Sequence, residues 1–470
     1  MVTMVDFQRF YNACDPTRTL NMGNSEDEPY YIDFAPVRGN SMVQQIERTI
    51  TILSPNSKTC QLFSGHIGCG KSTELLLLKE QLEKSGFFVV YFESTQDLDV
   101  ADVDVTDVLL AIARQVSLSL EDAQLFVEPR GFQKLLKDTV DFLSMPELSA
   151  EFEQGGKKFA VDKDGFSVEM PVVVGPLSVG IASITAKAKN SSNLRSRLRG
   201  YLEPQTSTLL RVINEELLAP AKALLKQRSK NGIVVIIDNL DRVIPTLKPS
   251  GKLQTEYLFV DRGGELRGLD CHLVYTVPLM LLFSSSNDML KNRLGGGMSP
   301  KVLPMVRVRS RDGSDDVEGM QLLRQMVLVR AFPELAKTPE KLIAHSAEVF
   351  DSLDTLDRLC RISGGHVRNV MALLYACLQQ DDPPISRSTL DRVIQDDRDR
   401  LVVTIDEEEW AMIFRVVQQQ ILKGEQEAQI LLPNMYVYEY SDSQGRWFNI
   451  NPVLEETTRF QSWQKQTTAS

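Results

Sequence analysis

The sequence predicts an α/β fold, a three-layer core around a parallel sheet that carries a β-hairpin insertion and is followed by a helical domain and a smaller C-terminal module. Three observations predict it. The short apolar run TCQLF leads straight into FSGHIGCGKST, then into the helical stretch STELLLLKEQLEKSG and a second apolar run, FFVVYFES. Strand, helix, strand in that order is the pattern of a parallel sheet. A third apolar run, NGIVVIIDNLDRV, ends in acids. Beyond Arg311 the periodicity becomes helical, until two strand-like runs appear near the C-terminus.

Taken in order, residues 1–40 mix aromatics with turn formers and read as an ordered lead-in. SMVQQIERTITIL then has apolar positions at helical spacing and ends at Pro55. After the first strand and helix, Gly86 is placed as a helix stop. DLDVADVDV precedes a helix with Asp104 or Thr106 as cap and Val108, Leu109, Ile112 and Val116 on its buried face. GFQKLLKDTVDFLS is helical and ends near Pro146. From Lys158 to about Lys187 the chain alternates, as in FSVEMPVVV and LSVGIASIT, with DKDG and GP as turns, which predicts a hairpin or small sheet. TSTLLRVINEELLAPAKALLKQRS returns the chain, as a helix, to the acid-tipped strand, and CHLVYTVP supplies a further strand. The core therefore spans 41–312 with an insertion at about 125–205. Helices at 313–382 form the next domain, DDPPIS links it onward, and 383–470 holds helices followed by a hairpin around SDSQG, the order of a winged-helix-like domain.

Composition narrows the function. The chain has 470 residues, 43% hydrophobic and 24% charged, so it is long enough for roughly three domains and ordinary for a globular protein. The net charge of -11 argues against nucleic acid as a partner, since that binding draws on phosphate neutralisation by local basic patches. Six scattered cysteines without CxxC spacing read as reduced thiols, and four histidines without HxxxH offer no zinc framework. No leader pattern and no apolar run of about 20 residues is present, so cytoplasm is the expected compartment and no membrane is expected.

The chemistry concentrates in the glycine stretch. Gly65, Gly70, Lys71 and Ser72 satisfy G-x-x-x-x-G-K-[ST] between a strand and a helix. Glycines let the backbone wrap an anion, the following helix aims its positive end there, and Lys71 adds a full charge. The residues from Gly65 through His66, Ile67, Gly68, Cys69, Gly70, Lys71, Ser72 and Thr73 are thus the expected triphosphate cradle, with the Ser72 hydroxyl on Mg²⁺. Asp238, at the tip of IVVIID, is the expected second metal contact. No N-K-x-D base-reading motif appears, so ATP is favoured over GTP.

On these two motifs the chain resembles the AAA+ and STAND-type P-loop ATPases, including the Orc/Cdc6-like branch, over about Tyr30 to Asn451. The resemblance implies that the helical domain is a lid over the nucleotide and that the lead-in touches it through Arg38. It implies a γ-phosphate sensor at Thr276 in VYTVP and a sensor arginine at Arg368 in SGGHVRNV, where the family usually has proline at the Val367 position. Many relatives end the acid-tipped strand in Asp-Glu, the glutamate polarising the attacking water. Here Asn239 follows Asp238, and an amide cannot accept a proton; Asp241, in DNLD, resembles the second acid of STAND-type ATPases and is the candidate base, with a helix-capping aspartate as the alternative, and slow turnover is expected. Arg262 or Arg267 in FVDRGGELRG is the candidate arginine finger, a charge offered to a neighbouring subunit's γ-phosphate. A solvated surface arginine is the alternative at both positions. The cluster Arg195, Arg197 and Arg199 in NLRSRLRG is either a solvated helix face or a contact for DNA, a partner or a nucleotide.

The leading reading is a regulatory ATPase that couples Mg-ATP binding and slow hydrolysis to conformational change, homo-oligomerisation or engagement of a protein partner. Two others stay open: a DNA-binding initiator or transposition-type regulator, disfavoured by charge, and a STAND-like defence or signalling scaffold, for which no effector domain is apparent.

Overall fold

The computed structural model describes residues 5–39, 41–144, 176–189, 191–248 and 251–468. Strand β1 (Cys60–Gly65) leads through the glycine loop into helix α1 (Lys71–Lys84), and β2 (Phe88–Glu93) follows. Gly86 sits between them at φ +84°, the left-handed stop that a side chain would resist. Helix α2 (Val105–Asp122) starts at a capping box in which Asp104 and Asp107 bond reciprocally. The helix Arg130–Ser144, then α3 (Leu177–Lys189) and α4 (Ser192–Leu202), carry the chain toward β3 (Ile233–Asp238) and β4 (His272–Thr276). β5 (Lys301–Leu303) completes a sheet in the order β2-β3-β4-β1-β5. β2 pairs in parallel with β3, placing Glu93 opposite Asp238, and β1 pairs in parallel with β5, placing Gly65 opposite Leu303. Every residue of β1, β3 and β4 is buried, which is why these runs read as continuously apolar instead of alternating.

The chain divides into two compact units: residues 1–55, 61–85 and 274–470 in the first, and 56–60 and 86–273 in the second. In the first, α5 (Val317–Ala331), Leu353–Ile362 and α6 (Val367–Leu378) bury their apolar faces with Phe10, Tyr30, Phe34 and Val37 of the lead-in, and Leu390, Val393 and Ile394 join the same core. Arg330, on α5, donates to the Tyr30 carbonyl at 2.9 Å and lies over its ring, fastening the lead-in. A second core packs Val302 of β5 and Leu279 with Trp410, Ile413, Val416, Leu431 and the hairpin residues Val437, Phe448 and Ile450. That hairpin, β6 (Val437–Asp442) and β7 (Gly445–Ile450), is antiparallel and follows helices at Glu407–Gln419 and Gly424–Leu431, the predicted helix-then-hairpin order. The helix Gly424–Leu431 buries Ala428 and Leu431 on one face, against that core.

In the second unit the alternating insertion is corrected in part. The run FSVEMPVVV lies outside the described residues. LSVGIASIT is helical, not extended: it forms most of α3, with Leu177, Ile181, Ile184 and Ala188 buried. Those positions repeat every three to four residues, and Val179, which alternation would bury, is 60% exposed. The segment fits both periods, and packing of α3 on α2 selects the helix.

Candidate functional site

The loop between β1 and α1 is held in a shape that only glycine permits at three places. Gly65, Gly68 and Gly70 have φ of +152°, +85° and +105°. A Cβ on Gly68 would lie 2.6 Å from the His366 ring, and one on Gly65 would lie 2.6 Å from the Leu303 carbonyl. At Gly70 it would meet nothing within 4 Å, so there the backbone conformation alone demands glycine. Gly70 is also the N-cap of α1 and supplies no side-chain cap, which leaves the first-turn amides for another acceptor. Lys71 is buried, its ammonium donating to the carbonyls of Gly65 at 3.0 Å and His66 at 2.8 Å.

The outward side of the loop is fastened by distant segments. The Ile67 carbonyl accepts from His366 Nε2 at 2.8 Å, the Gly68 carbonyl from the Arg368 amide at 3.1 Å, and the Cys69 carbonyl from Arg38 Nη2 at 2.6 Å. The His66 ring, fully enclosed, accepts the Glu439 amide of β6 at Nε2, 3.0 Å away, and meets Tyr438 edge-on. Burial, aided by His366 and Lys71, drives the His66 pKa down to about 3, so the ring is neutral and its Nε2 lone pair is free to accept. His366 is held neutral in the same way, its pKa lowered to about 4 chiefly by burial. Arg38 is buried, over the Phe34 ring and 3.9 Å from Glu74, whose own pKa burial raises. Beside it opens a cavity of about 240 Å³ whose polar lining includes Tyr31, Asp33, Arg38, Glu74 and Gln81.

Arg38, the loop and Arg368 thus meet directly. Thr276, fully buried, ends β4. The other predicted residues belong to the second unit. Asp238 is fully buried at the tip of β3, accepting from Tyr91 Oη at 2.9 Å and from the Asn239 amide at 2.7 Å. Its own burial first, and then the charge of that carboxylate, push the Tyr91 pKa up, so the phenol stays a donor. Asn239 takes a left-handed φ of +59°, and Asp241 sits in the tight turn Leu240–Arg242 that follows, 9% exposed. Arg262 is tied inward, 3.2 Å from Glu203, 3.0 Å from Glu265 and 3.2 Å from Thr206 Oγ1, whereas Arg267 is exposed.

The basic cluster on α4 is neither a solvated face nor a free binding surface. Arg195 pairs with Asp99 at 2.8 Å, Arg199 with Asp102 and Asp107 at 2.6 Å each, and Arg197 donates to the Phe142 carbonyl at 3.0 Å. The acids come from DLDVADVDV and the first turn of α2, so the two segments neutralise one another.

Sequence reasoning missed His366, Glu439 and Tyr91. Two signals were present: two of the four histidines stand in glycine-rich stretches, SGHIG and SGGHV, and Glu439 interrupts the aromatic strand YVYEY.

No family model matches the chain, and neither does any curated protein. Among solved structures it is similar to an Aeropyrum pernix Orc1 protein in complex with DNA, at 11% identity and a TM-score of 0.33, covering 90% of this chain and 94% of that one. Among the described residues, no helix is long and apolar enough to cross a membrane. What this chain's own residues establish is a parallel-sheet α/β protein with a glycine-shaped loop, fastened from outside, at the head of the helix that follows its first strand.

Proposed function

We propose that the protein is a regulatory P-loop ATPase of the AAA+ type, binding Mg-ATP at the loop Gly65–Thr73 and hydrolysing it slowly. The observation that carries this reading is that the carbonyls of Ile67, Gly68 and Cys69 are all taken by donors from outside the loop. A peptide whose carbonyl is fastened on one side presents its amide to the other; the Cys69 amide donates to the His66 carbonyl at 3.3 Å, and those of Gly68 and Gly70, with the first turn of α1 and Lys71, make up the polyphosphate cradle. Mg²⁺ suits the donors available: Ser72 and Asp238 offer hard oxygens, and the Asp238 carboxylate has lone pairs beyond the two that Tyr91 and Asn239 engage. Bound there, the ion would neutralise phosphate charge. Thr276 and Arg368 are the sensors and Asp241 the base in this reading. Slow turnover follows from Asn239, which cannot take a proton from water. The cavity beside Arg38 is where the base of the nucleotide would lie. Arg267, exposed, suits a finger reaching a second copy better than Arg262, which would first have to leave three partners.

The readout of nucleotide state is a change in assembly or in a protein partner. The DNA-binding alternative has less support. Arg446, the one cation of β6 and β7, is 2.8 Å from Glu439 and over Phe283, and of the α4 arginines Arg195 and Arg199 pair with Asp99, Asp102 and Asp107 while Arg197 donates to the Phe142 carbonyl. Calorimetry with ATP and Mg²⁺ tests the central reading. The parent should release heat on binding and Lys71→Ala should not. Absence of heat from folded parent protein would end the proposal, and mass photometry with and without ATP reports whether assembly follows.

A further inference from the structure

We propose that His66 couples occupancy of the phosphate loop to docking of the C-terminal hairpin, so that nucleotide binding and seating of β6 on the loop stabilise each other. The inference rests on the reading of Gly65–Thr73 as a nucleotide cradle and adds the route by which the C-terminal module senses it.

The geometry forms a closed circuit of hydrogen bonds. From the loop, His66 Nε2 accepts the Glu439 amide at 3.0 Å. The Glu439 carbonyl accepts the Met305 amide at 2.9 Å, and the next residue, Val306, donates its amide to Gly365 at 3.3 Å. His366 follows Gly365 and returns to the loop at Ile67. Tyr440 Oη adds a second fastening, donating to the Gly364 carbonyl at 2.8 Å. Two glycines make these approaches possible: a Cβ on Gly365 would lie 1.7 Å from the Val306 carbonyl, and one on Gly364 would lie 2.7 Å from the Tyr438 ring. Glu439 is free to make these bonds because its main chain faces away from β7. Its opposite residue is Phe448, and its N–H and C=O go to His66 and Met305 instead.

His66 joins this circuit to the phosphate-binding charge. Its carbonyl holds the Lys71 ammonium at 2.8 Å while its ring holds β6. Lifting the hairpin off the loop therefore leaves a buried imidazole without its donor and unfastens the residue whose backbone positions Lys71. A ligand that needs the loop in its fastened shape binds only the docked arrangement, and by linkage it must strengthen the docking by the factor by which docking strengthens it. A protein partner that takes hold of the β6–β7 hairpin would, in the same way, weaken the hold on nucleotide.

Hydrogen exchange of the Glu439 amide, read against calorimetry of ATP binding on the same full-length protein, tests this. If opening of that bond excludes nucleotide, ATP at about 100 times its Kd slows exchange at Glu439 by up to about 100-fold, while amides in the core of the helix Glu407–Gln419 keep their rates. His66→Leu, which has no acceptor, should lose the slowing at saturating ATP. His66→Gln, whose side-chain oxygen can accept, should keep part of it. Should His66→Leu fail to fold, Tyr440→Phe supplies the second arm: it loosens the hairpin at Gly364, and the ATP Kd should rise by the factor by which Glu439 exchange quickens. Binding heat with unchanged exchange at Glu439, or equal slowing in both regions, overturns the coupling and leaves the nucleotide cradle standing. No binding heat at all removes both.

Discussion

The glycine loop before α1 and the acidic turn after β3 are the two places where the expected chemistry lies, and they are built in opposite ways. The loop is a main-chain device: its carbonyls are held by Arg38, His366 and Arg368 from segments up to 300 residues away in sequence, and its side chains are mostly small. The turn is a side-chain device, in which Asp238 is oriented by its neighbour's amide and by Tyr91 on the adjacent strand. A main-chain device needs particular backbone angles, and those leave glycines in the sequence. A side-chain device leaves only a common residue type at a strand end. The first is accordingly sensitive to single Cβ atoms and the second to single hydrogen bonds.

The largest expected effect follows from that sensitivity. In Gly365→Ala the new methyl would lie 1.7 Å from a backbone oxygen at a φ of +74°, so both the contact and the conformation are penalised. The expected loss is about 3 kcal/mol or more in a urea melt. Gly70→Ala meets open space and only the φ of +105° opposes it, so its stability loss should be nearer 1–2 kcal/mol. Equal losses at the two sites would show that the loop is not fastened as described. Next comes Lys71→Ala, which removes a charge with two or more charge-assisted bonds to offer. ATP affinity should fall by about 100-fold, and the protein alone should lose about 1–3 kcal/mol, because the Gly65 and His66 carbonyls lose their buried donor.

The strand-loop-helix unit and the order of the core were legible because each rests on local rules: apolar runs, glycine spacing, caps. The Asp104 capping box and the Gly86 stop are of the same kind. What fastens the loop was not legible, since His366 and Glu439 act on residues 299 and 373 positions away. The α3 segment misled for a different reason. LSVGIASIT satisfies a period of two and a period near 3.6 equally well, and only packing decides. The α4 arginines read as a solvated face or a binding contact, and not as half of an ion-pair cluster, because the aspartate partners of Arg195 and Arg199 lie roughly ninety residues earlier, in a stretch read separately.

Acid should weaken the loop's fastenings through the buried histidines, and the sign follows from their lowered pKa values. Unfolded histidine takes up a proton near pH 6.5, while His366 in the fold does so only near 4, so between these values the unfolded chain binds more protons and stability falls as pH falls. From pH 7 to 5 this one group contributes a loss of about 2 kcal/mol, and His66 acts in the same direction. Glu439 opposes them. Burial raises its pKa to about 7 against the attraction of half-exposed Arg446, so its unfavourable charge is relieved as pH falls through that value. His366→Gln should flatten the acid side of the stability profile and Glu439→Gln should steepen it. Should neither variant alter the profile between pH 5 and 7, the histidines are not buried neutral against the loop.

The smallest effect probes the other region. Tyr91→Phe keeps the ring in β2 and removes only the hydroxyl that donates to Asp238 at 2.9 Å. If Asp238 holds Mg²⁺, the phenol is the group that orients its carboxylate. Partners of this kind typically change metal affinity by ten- to a hundredfold when lost, and a single neutral donor belongs at the low end. The Mg²⁺ concentration that half-saturates ATP binding should therefore rise about tenfold, with ATP binding in excess EDTA unchanged. Because the Asn239 amide still holds Oδ1, the loss should stay below that of Asp238→Asn, which takes the charge itself. A Tyr91→Phe protein with the parent's Mg²⁺ dependence would mean that Asp238 serves the sheet and not the ion, and the acidic turn would then differ from the glycine loop in purpose as well as in construction.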